Sequence, residues 1–357
     1  MKRNIIIKVA AVVAMLFVAT VASAREWHIN NKDGVPAHFA DINAAMASEE
    51  VIEGDTLYIG NGCNITSEQT ISKIVTVIGT GWSFPDSPIS VGQVNSNLYI
   101  TVNGVIVEGL RITGSVVIRA NDVIVERCLV NADVINNNSV RADRVKLLSC
   151  IIDGSVTLQN GYNNNWEIRN CIIRDNDAGS SVYYLYNGVI ENSIIKRNRV
   201  GYGAWSSSVY MFSNCSFCTI KNCILHFTKD DTKLDNVEIG YFINSCSNCT
   251  FRNNVISYKS SYENTLPGNV FTDVPNLSAV FNCTGSVESG EYYSLKEGSP
   301  AIGAGEGGID CGVMVGAYKF IPYGRPQYIP VIKEAVVPAT PTDGKVKVSF
   351  KIENQND

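Results

Sequence analysis

The stretches VIVERCLVN (123–131), VKLLSCIID (145–153) and WEIRNCIIR (166–174) repeat one phrase: an apolar run, a few polar residues, then a second apolar pair. The phrase returns four more times, at 105–113, 188–196, 218–226 and 249–257. Self-similarity at about 20 to 30 residues is typical of solenoids, in which each repeat buries its apolar face only against its neighbours. The repeats therefore predict a stack of similar coils.

Two columns of aligned residues indicate that the coils are made of β-strands. The first column is Leu110, Cys128, Cys150, Cys171, Ser193, Cys223 and Asn254, and the second is Ile112, Val130, Ile152, Ile173, Ile195, Leu225 and Ile256. Alternate residues of a strand point to one side, so both columns are predicted to face the interior. A helical repeat would need a 3.6-residue apolar period, and a leucine-rich repeat its Leu spacing and fixed Asn; both are absent. We therefore predict an all-β, parallel β-helix.

Two flanking segments give the chain a family resemblance. FADINAAMASEEVIEGDTLYIGNG (39–62), and YSLKEGSPAIGAG (293–305) with VGAY (315–318), resemble the opening and closing segments of the pectate-lyase-like superfamily of right-handed, single-stranded parallel β-helix proteins. A short N-terminal capping helix is expected, with one apolar face made of Ala40, Ile42, Ala45 and Met46. The resemblance covers about residues 27–318 and implies the fold. It leaves the activity open, because this superfold carries lyases, hydrolases, epimerases and non-catalytic adhesins.

Residues 1–24 are predicted to be a secretory signal peptide. A basic start precedes the apolar run 9–21, and Ala22-Ser23-Ala24 is an A-x-A cleavage motif. Cleavage near Ala24 predicts a secreted protein, in the periplasm, outside the cell or at its surface. No later stretch reaches 18 apolar residues, so no membrane insertion is expected. Without the signal's three basic residues, 26 basic and 34 acidic residues remain, a net charge of −8 that argues against nucleic acid as a partner.

Residues 25–318 are predicted to form the β-helix domain with its N-terminal cap, and residues 319–357 a proline-rich strap and a strand pair. The tail carries five prolines, which break regular pairing. Residues 319–340 are expected to form an extended strap along or across the last coil. The alternating segment KVKVSFKI (345–352) is expected to pair with VIKEAVV (331–337).

Of the eleven cysteines, Cys128, Cys150, Cys171 and Cys223 are predicted to be buried thiols, because in-register neighbours in parallel strands fit disulfide geometry poorly. Cys215-x-x-Cys218 and Cys246-x-x-Cys249 have a spacing that also occurs in zinc sites. However, the two pairs are 31 residues apart, which is the offset between Cys223 and Asn254 in the first column. They are therefore predicted to be one repeat feature in two consecutive coils, and no metal or cofactor is assigned.

Two long coils indicate where a site could lie. Coils up to residue 193 have about 22 residues and the next two have 30 and 31, so NRVGYGAWSSS (198–208) and KDDTKLDNV (229–237) should leave the stack side by side. Loops on a rigid scaffold commonly carry function. Aromatic faces fit sugar rings, guanidinium groups bind carboxylates, and aspartates could bind calcium. The predicted substrate-binding residues are Arg197, Arg199, Tyr202, Trp205, Lys229, Asp230, Asp231 and Asp235, with Tyr183, Tyr184 and Tyr186 one coil below.

Two functions fit these patterns. One is an exported non-catalytic β-helix protein that binds a polysaccharide or cell-surface glycan, or serves as a structural module of the cell envelope. The alternative is a carbohydrate-active enzyme, a polysaccharide lyase or glycoside hydrolase acting on an acidic polysaccharide. Asp230-Asp231 resembles one hydrolase element, but the accompanying Asn-Thr-Asp, Gly-His-Gly and Arg-Ile-Lys elements and the calcium-binding acidic cluster of lyases are not recognisable. No catalytic residue is therefore assigned, and His226 is expected at a turn or strand edge.

Overall fold

The protein is a right-handed parallel β-helix made of three long sheets. The computed structural model describes residues 24–83, 90–136, 139–175, 180–198, 210–228, 242–256, 266–271, 280–283, 291–325, 331–336 and 348–353. Successive coils add one short strand to a sheet, and every neighbour within the three sheets is parallel. Sheets A and B have ten strands each and sheet C has eight. The predicted fold class is confirmed.

The strands are two to five residues long in these sheets. Sheet A comprises Glu26–Ile29, Thr56–Ile59, Thr76–Ile78, Ile106–Glu108, Ile124–Glu126, Lys146–Leu148, Glu167–Arg169, Val189–Glu191, Thr219–Lys221 and Thr250–Arg252. Sheet B comprises Asn64–Ile65, Gln93–Val94, Arg111–Ile112, Leu129–Val130, Ile151–Ile152, Ile172–Asp175, Ile194–Asn198, Ile224–Thr228, Val255–Ile256 and Val270–Phe271. Sheet C comprises Gln69–Ile71, Leu98–Ile100, Val116–Ile118, Val134–Ile135, Val156–Thr157, Val182–Tyr183, Phe212–Ser213 and Ile243–Asn244.

Smaller elements complete the fold. A short parallel pair joins Ala142–Asp143 to Asn163–Asn164, and single 3₁₀ turns lie at Glu291–Tyr293, Glu306–Gly308 and Pro322–Gly324. Val331–Val336 pairs antiparallel with Ser349–Glu353, as the alternating tail segments predicted. Within the part of the chain that is described, no helix has the length and apolarity needed to cross a membrane.

The α-helix Ile42–Ala47, which is the one found among the described residues, lies at the N-terminal edge of sheet C. The Asp41 carboxylate begins it by accepting a hydrogen bond from the Ala44 amide at 2.8 Å. Ile42, Ala45 and Met46 are buried as predicted, whereas Ala40 lies before the helix and is exposed. The helix also satisfies the unpaired edge of the strand Gln69–Ile71, because the Asn43 carboxamide oxygen accepts from the Thr70 amide at 2.9 Å.

The interior is filled by columns of branched aliphatic side chains in register. Val130 has Ile112 and Ile152 as its Cα partners, and all three side chains are fully buried. In the longer coils Phe212 pairs with Ile243, which confirms the predicted offset of 31 residues. The strands therefore keep their register even where the coil length changes, because a shift by one residue would turn the apolar column outward.

A sharp corner divides each repeated phrase between sheet A and sheet B. The corner residue adopts the left-handed conformation in coil after coil, with φ of 48° at Arg127, 52° at Ser149 and 52° at Asn170. Asn192, Asn222 and Asn253 continue the series. A single left-handed residue turns the chain without an added loop, and asparagine tolerates this conformation better than most residues. What the sequence presents as one phrase is thus two strands joined by a bend.

Cys128, Cys150 and Cys171 follow the corner and form the predicted ladder of buried thiols. Their thiols donate to backbone carbonyls, and the Cys150 Sγ lies 3.3 Å from the Val125 carbonyl oxygen. Burial and contact with Cys150 raise the pKa of the Cys128 and Cys171 thiols well above the ordinary value. All eleven cysteines are free thiols, so this column contributes through packing.

The segment that covers the stack in the structure is residues 306–325, and from here on the name strap means this segment. It runs back along the outside of the stack, from the last coils toward the first. The Cys311 Sγ lies 3.2 Å from the Asn253 carbonyl oxygen, the Gly312 amide donates to Asn222 at 2.9 Å, and the Tyr323 carbonyl accepts from Trp82 at 2.8 Å. It covers an outward-facing apolar ladder of sheet B: Leu129, Ile151, Ile172, Ile194, Ile224 and Val255. Residues 319–325 were predicted to lie along or across the last coil. This prediction is wrong, because these residues contact the early coils, where Tyr323 meets Trp82.

The corner asparagines hold the strap, and Asn170 makes the closest contacts. Its Nδ2 donates to the Val313 and Val315 carbonyls at 2.9 and 2.5 Å. Asn170→Gly keeps the left-handed backbone but removes both hydrogen bonds, so we expect a loss of about 1–3 kcal/mol in the free energy of unfolding, measured by urea denaturation. Asn165→Gly is the matched control, because Asn165 is also left-handed but exposed. Equal effects of the two substitutions would contradict the anchoring role.

Candidate functional site

Most of the predicted site residues lie outside the described residues: Arg199, Tyr202, Trp205, Lys229, Asp230, Asp231 and Asp235. Arg197 lies in the strand Ile194–Asn198, where its Cα pairs with Asp175 and Phe227. The strands on both sides of the two long segments are stacked in register, in sheet B before them and in sheet C after them. The described strands that flank the two segments are therefore in register in consecutive coils, and the predicted placement of the segments themselves stays a prediction.

The candidate binding site among the described residues is a cluster of aromatic side chains at the corner between sheet C and sheet A. We call it the aromatic corner, and it is made of Tyr183, Tyr184, Tyr186 and Phe217. The Tyr186 and Phe217 rings meet edge to face, with centroids 5.5 Å apart. Tyr183 and Tyr184 are adjacent in the chain, with centroids 4.2 Å apart. Tyr186 is 42% exposed and Phe217 is 52% exposed, so two large rings from consecutive coils face solvent side by side.

Backbone geometry explains why these rings point outward. Tyr184 and Phe217 are left-handed, with φ of 58° and 57°. Tyr186 and Ser216 form an isolated parallel bridge, and the Asn187 amide donates to the Ser216 carbonyl at 3.0 Å. This pairing stacks one corner on the next and brings the Phe217 ring beside Tyr186. A bulky residue in the left-handed region is uncommon, and here Phe217 occupies a turn that is also left-handed in the neighbouring coils, at Asn187 and Asn248.

Amide and hydroxyl groups border the aromatic corner. The Asn187 Nδ2 donates to the Asn164 Oδ1 at 2.9 Å, and the Ser216 and Ser247 hydroxyls are 2.9 Å apart. Asn163 lies behind them, where its carboxamide donates to the Tyr184 carbonyl and accepts from the Tyr186 amide. The surface thus combines apolar ring faces with neutral hydrogen-bonding groups, and it carries no acidic or basic member among these residues.

The two CxxC pairs lie directly behind this surface, in two consecutive coils as predicted. Ser216 bridges to Ser247, which places Cys215 in register with Cys246 and Cys218 in register with Cys249. Cys215 and Cys218 are buried, and the other two are partly exposed. Hydrogen bonds from the Cys218 and Cys246 thiols lower the pKa of Cys249. Over the residues that the structure describes, no group of three or more His, Cys, Asp or Glu side chains is arranged to hold a metal ion.

The sequence indicated the tyrosines but not Phe217. The signal for Phe217 is visible afterwards: CSFC (215–218) places a large aromatic residue in a turn where the next coil, CSNC (246–249), has asparagine. Asparagine is favoured at such a turn position, so an aromatic residue is unusual there. Its exposure in the structure fits a contact with a ligand.

The fold and the aromatic corner define a right-handed parallel β-helix protein with a solvent-facing pair of aromatic rings on its side. Comparisons with protein-family models, with curated proteins and with solved structures return no match.

Proposed function

We propose that this chain is an exported, non-catalytic β-helix protein that binds a polysaccharide or cell-surface glycan through the aromatic corner. The observation that carries the proposal is the exposed edge-to-face pair of Tyr186 and Phe217. Exposed aromatic rings lose stabilisation in water unless a ligand covers them, and adjacent apolar rings are typical of interaction surfaces.

Sugar rings match this surface chemically. One face of a pyranose presents C–H groups that pack on aromatic rings, while its edges carry hydroxyls that need hydrogen-bond partners. The Asn164–Asn187 and Ser216–Ser247 pairs border the rings and offer neutral hydrogen-bond donors and acceptors to these hydroxyls. A rigid solenoid also repeats its surface at a fixed spacing, which suits a polymer lying along several coils.

The proposal includes export from the cytoplasm and membership of the pectate-lyase-like superfamily. The signal sequence at residues 1–24 supports export, and the net charge of −8 for the mature chain favours a neutral or weakly charged partner over nucleic acid. The opening and closing segments support membership of the pectate-lyase-like superfamily. After signal-peptide cleavage the mature protein would bind its glycan in the periplasm, outside the cell or at the cell surface.

The proposal is tested by screening the mature protein on a glycan array and titrating the best ligand by calorimetry. We expect Tyr186→Ala and Phe217→Ala each to weaken binding at least about tenfold, because anchoring aromatic residues dominate interface energies. Tyr186→Phe should keep most of the affinity, since the ring face remains. Tyr99→Ala is the control, because this half-buried tyrosine lies on the outer face of sheet C four coils earlier.

Two results would contradict the proposal. A Tyr186→Ala, Phe217→Ala double variant that binds as tightly as the parent would remove the aromatic corner as the site. New unsaturated sugar ends or reducing ends, appearing when the protein is incubated with neutral and uronate-containing polysaccharides, would instead support the carbohydrate-active enzyme.

A further inference from the structure

A column of polar side chains runs along the outer face of sheet B, beside the apolar ladder under the strap. In successive coils it contains Asp153, Arg174, Lys196 and His226. Lys196 is the Cα partner of both Arg174 and His226. Neighbouring members are therefore about 4.8 Å apart at Cα. The strand alternation that turns Ile195 inward turns this column outward.

The charges of this column do not balance. Asp153 is already engaged, because Arg174 Nε donates to its Oδ1 at 2.7 Å and Asn131 Nδ2 donates to its Oδ2 at 2.8 Å. Lys196 adds a second cation, and no carboxylate among the described residues pairs with it. Burial and the neighbouring Arg174 lower the pKa of Lys196. A half-buried ammonium beside another cation is unfavourable unless an anion compensates it.

His226 presents a second unmet requirement at the same place. His226 was predicted to lie at a turn or strand edge, and this is wrong. It lies in the middle of the strand Ile224–Thr228 and is fully buried. Neither ring nitrogen has a hydrogen-bond partner in the described structure. Burial, with a smaller contribution from Lys196, lowers the pKa of His226 to about 4. The imidazole is therefore neutral at pH 7 and holds an unused N–H donor, although buried polar groups are nearly always paired.

The residues that pack against this column do not supply the missing charge. Tyr293 is buried and hydrogen-bonds Arg174, and burial raises its pKa to about 12. Tyr292 hydrogen-bonds Cys283, and burial raises the pKa of Tyr292 as well. Both phenols are therefore neutral at pH 7. Among the described residues, the other titratable group that faces Lys196 is the Cys283 thiol.

We propose that Lys196, Arg174 and His226 form a binding site for an oxyanion, a carboxylate or a tetrahedral anion such as phosphate. Lys196 and Arg174 supply the charge, and His226 supplies a hydrogen bond from its free N–H group. The column lies on sheet B, whereas the aromatic corner joins sheets C and A, so the two sites are separate and the inference does not depend on glycan binding.

The chain offers a direct probe, because it contains three histidines. His28 and His38 stack on each other at the N-terminal end and serve as internal references. The pH titration of the three imidazoles is followed by ¹H–¹⁵N NMR of the full mature protein, at constant ionic strength set with chloride. Separate arms contain phosphate, sulfate, acetate or malonate, and His226→Gln assigns the signal. A bound anion favours the imidazolium, so we expect the His226 pKa to rise by about one unit or more while His28 and His38 stay unchanged.

Variants separate binding from general salt effects. Lys196→Met should abolish the response to the anion, and Lys146→Met on sheet A should leave it intact. Cys283→Ser should also keep the response; its loss there would assign the counter-charge to the Cys283 thiolate and overturn the proposal. As a second readout at pH 7, the melting temperature should rise with the anion in the parent and in Lys146→Met, but not in Lys196→Met. A His226 pKa that no anion moves, or that moves equally in Lys196→Met, would also overturn it. The tetrahedral and carboxylate arms show which geometry the site prefers.

Discussion

Ile194→Ala should lower the free energy of unfolding by about 2–5 kcal/mol, as much as Ile195→Ala does. The two residues are adjacent in one strand and both are fully buried, but they point to opposite sides of sheet B. Ile195 faces the interior of the stack. Ile194 lies on the outer face, in the second buried cluster, which the ladder forms with Cys311, Val313 and Phe320 of the strap and with Val280, Phe281, Tyr293 and Ala301. The comparison therefore measures whether the strap is a firm part of the native state.

Urea unfolding followed by circular dichroism gives both values on the same protein. If the strap were detached in solution, Ile194 would be exposed and its replacement would change stability by less than about 0.5 kcal/mol. A double-mutant cycle between Ile194→Ala and Val313→Ala is the control. The two residues belong to one buried cluster, so their effects should be non-additive, whereas Ile195→Ala and Val313→Ala, which lie in different clusters, should add.

The sequence predicted the stack and its register because these features are local and repeat. The apolar and thiol columns keep a fixed offset, and the structure places Cys128, Cys150 and Cys171 in one buried ladder. The left-handed corner was not predicted, because Arg127 and Ser149 occupy it without the glycine that usually signals such a conformation. Glycine occupies the equivalent position at Gly109, with φ of 61°, and asparagine occupies it in later coils, but Arg127 and Ser149 interrupt this series.

The path of the strap depends on contacts that no local pattern contains. The Ser149 hydroxyl donates to the Tyr318 carbonyl across 169 residues of sequence. The apolar ladder of Leu129, Ile151 and Ile172 could have indicated a cover, because the strands have apolar residues on both faces and not on one. That pattern predicts that something packs outside sheet B, but not which segment does so.

The candidate sites show the same division. Tyr183, Tyr184 and Tyr186 were visible as a cluster in sequence, and the register between coils then brings Phe217 to them. The column of Lys196 and His226 keeps the spacing of the repeats, because these residues follow Ser193 and Cys223 of the first column by three positions. The sequence did not single it out, because each member looks like an ordinary polar residue after an apolar pair. His226 becomes a candidate ligand-binding residue because it is buried and its ring nitrogens have no described partner. Both are properties of the folded chain and cannot be read from the sequence.

A buried ion-pair cluster beneath the strap should be the most pH-sensitive part of the fold. Arg127 forms ion pairs with Glu108, one coil below, and with Glu126, its own neighbour, and its side chain is almost fully buried. Burial raises the pKa of Glu126, while the charge of Arg127 opposes this effect. Removing the cation leaves two carboxylates from adjacent coils in a site that water barely reaches, which is strongly unfavourable.

Arg127→Met keeps the aliphatic stem and removes the charge, so we expect a loss of about 3–5 kcal/mol in the free energy of unfolding at pH 7. Without Arg127 the pKa of Glu126 should rise further above its unfolded value. The folded variant then binds a proton that the unfolded chain has released, so its deficit should shrink as the pH falls through the raised pKa toward about 4. Urea unfolding at several pH values measures both effects. Arg144→Met is the matched control, since Arg144 is also left-handed and pairs across one coil with Asp122, but in an exposed position, so it should change stability far less. A deficit in Arg127→Met that is the same at pH 4 and pH 7 would mean that Glu108 and Glu126 do not carry the uncompensated charge.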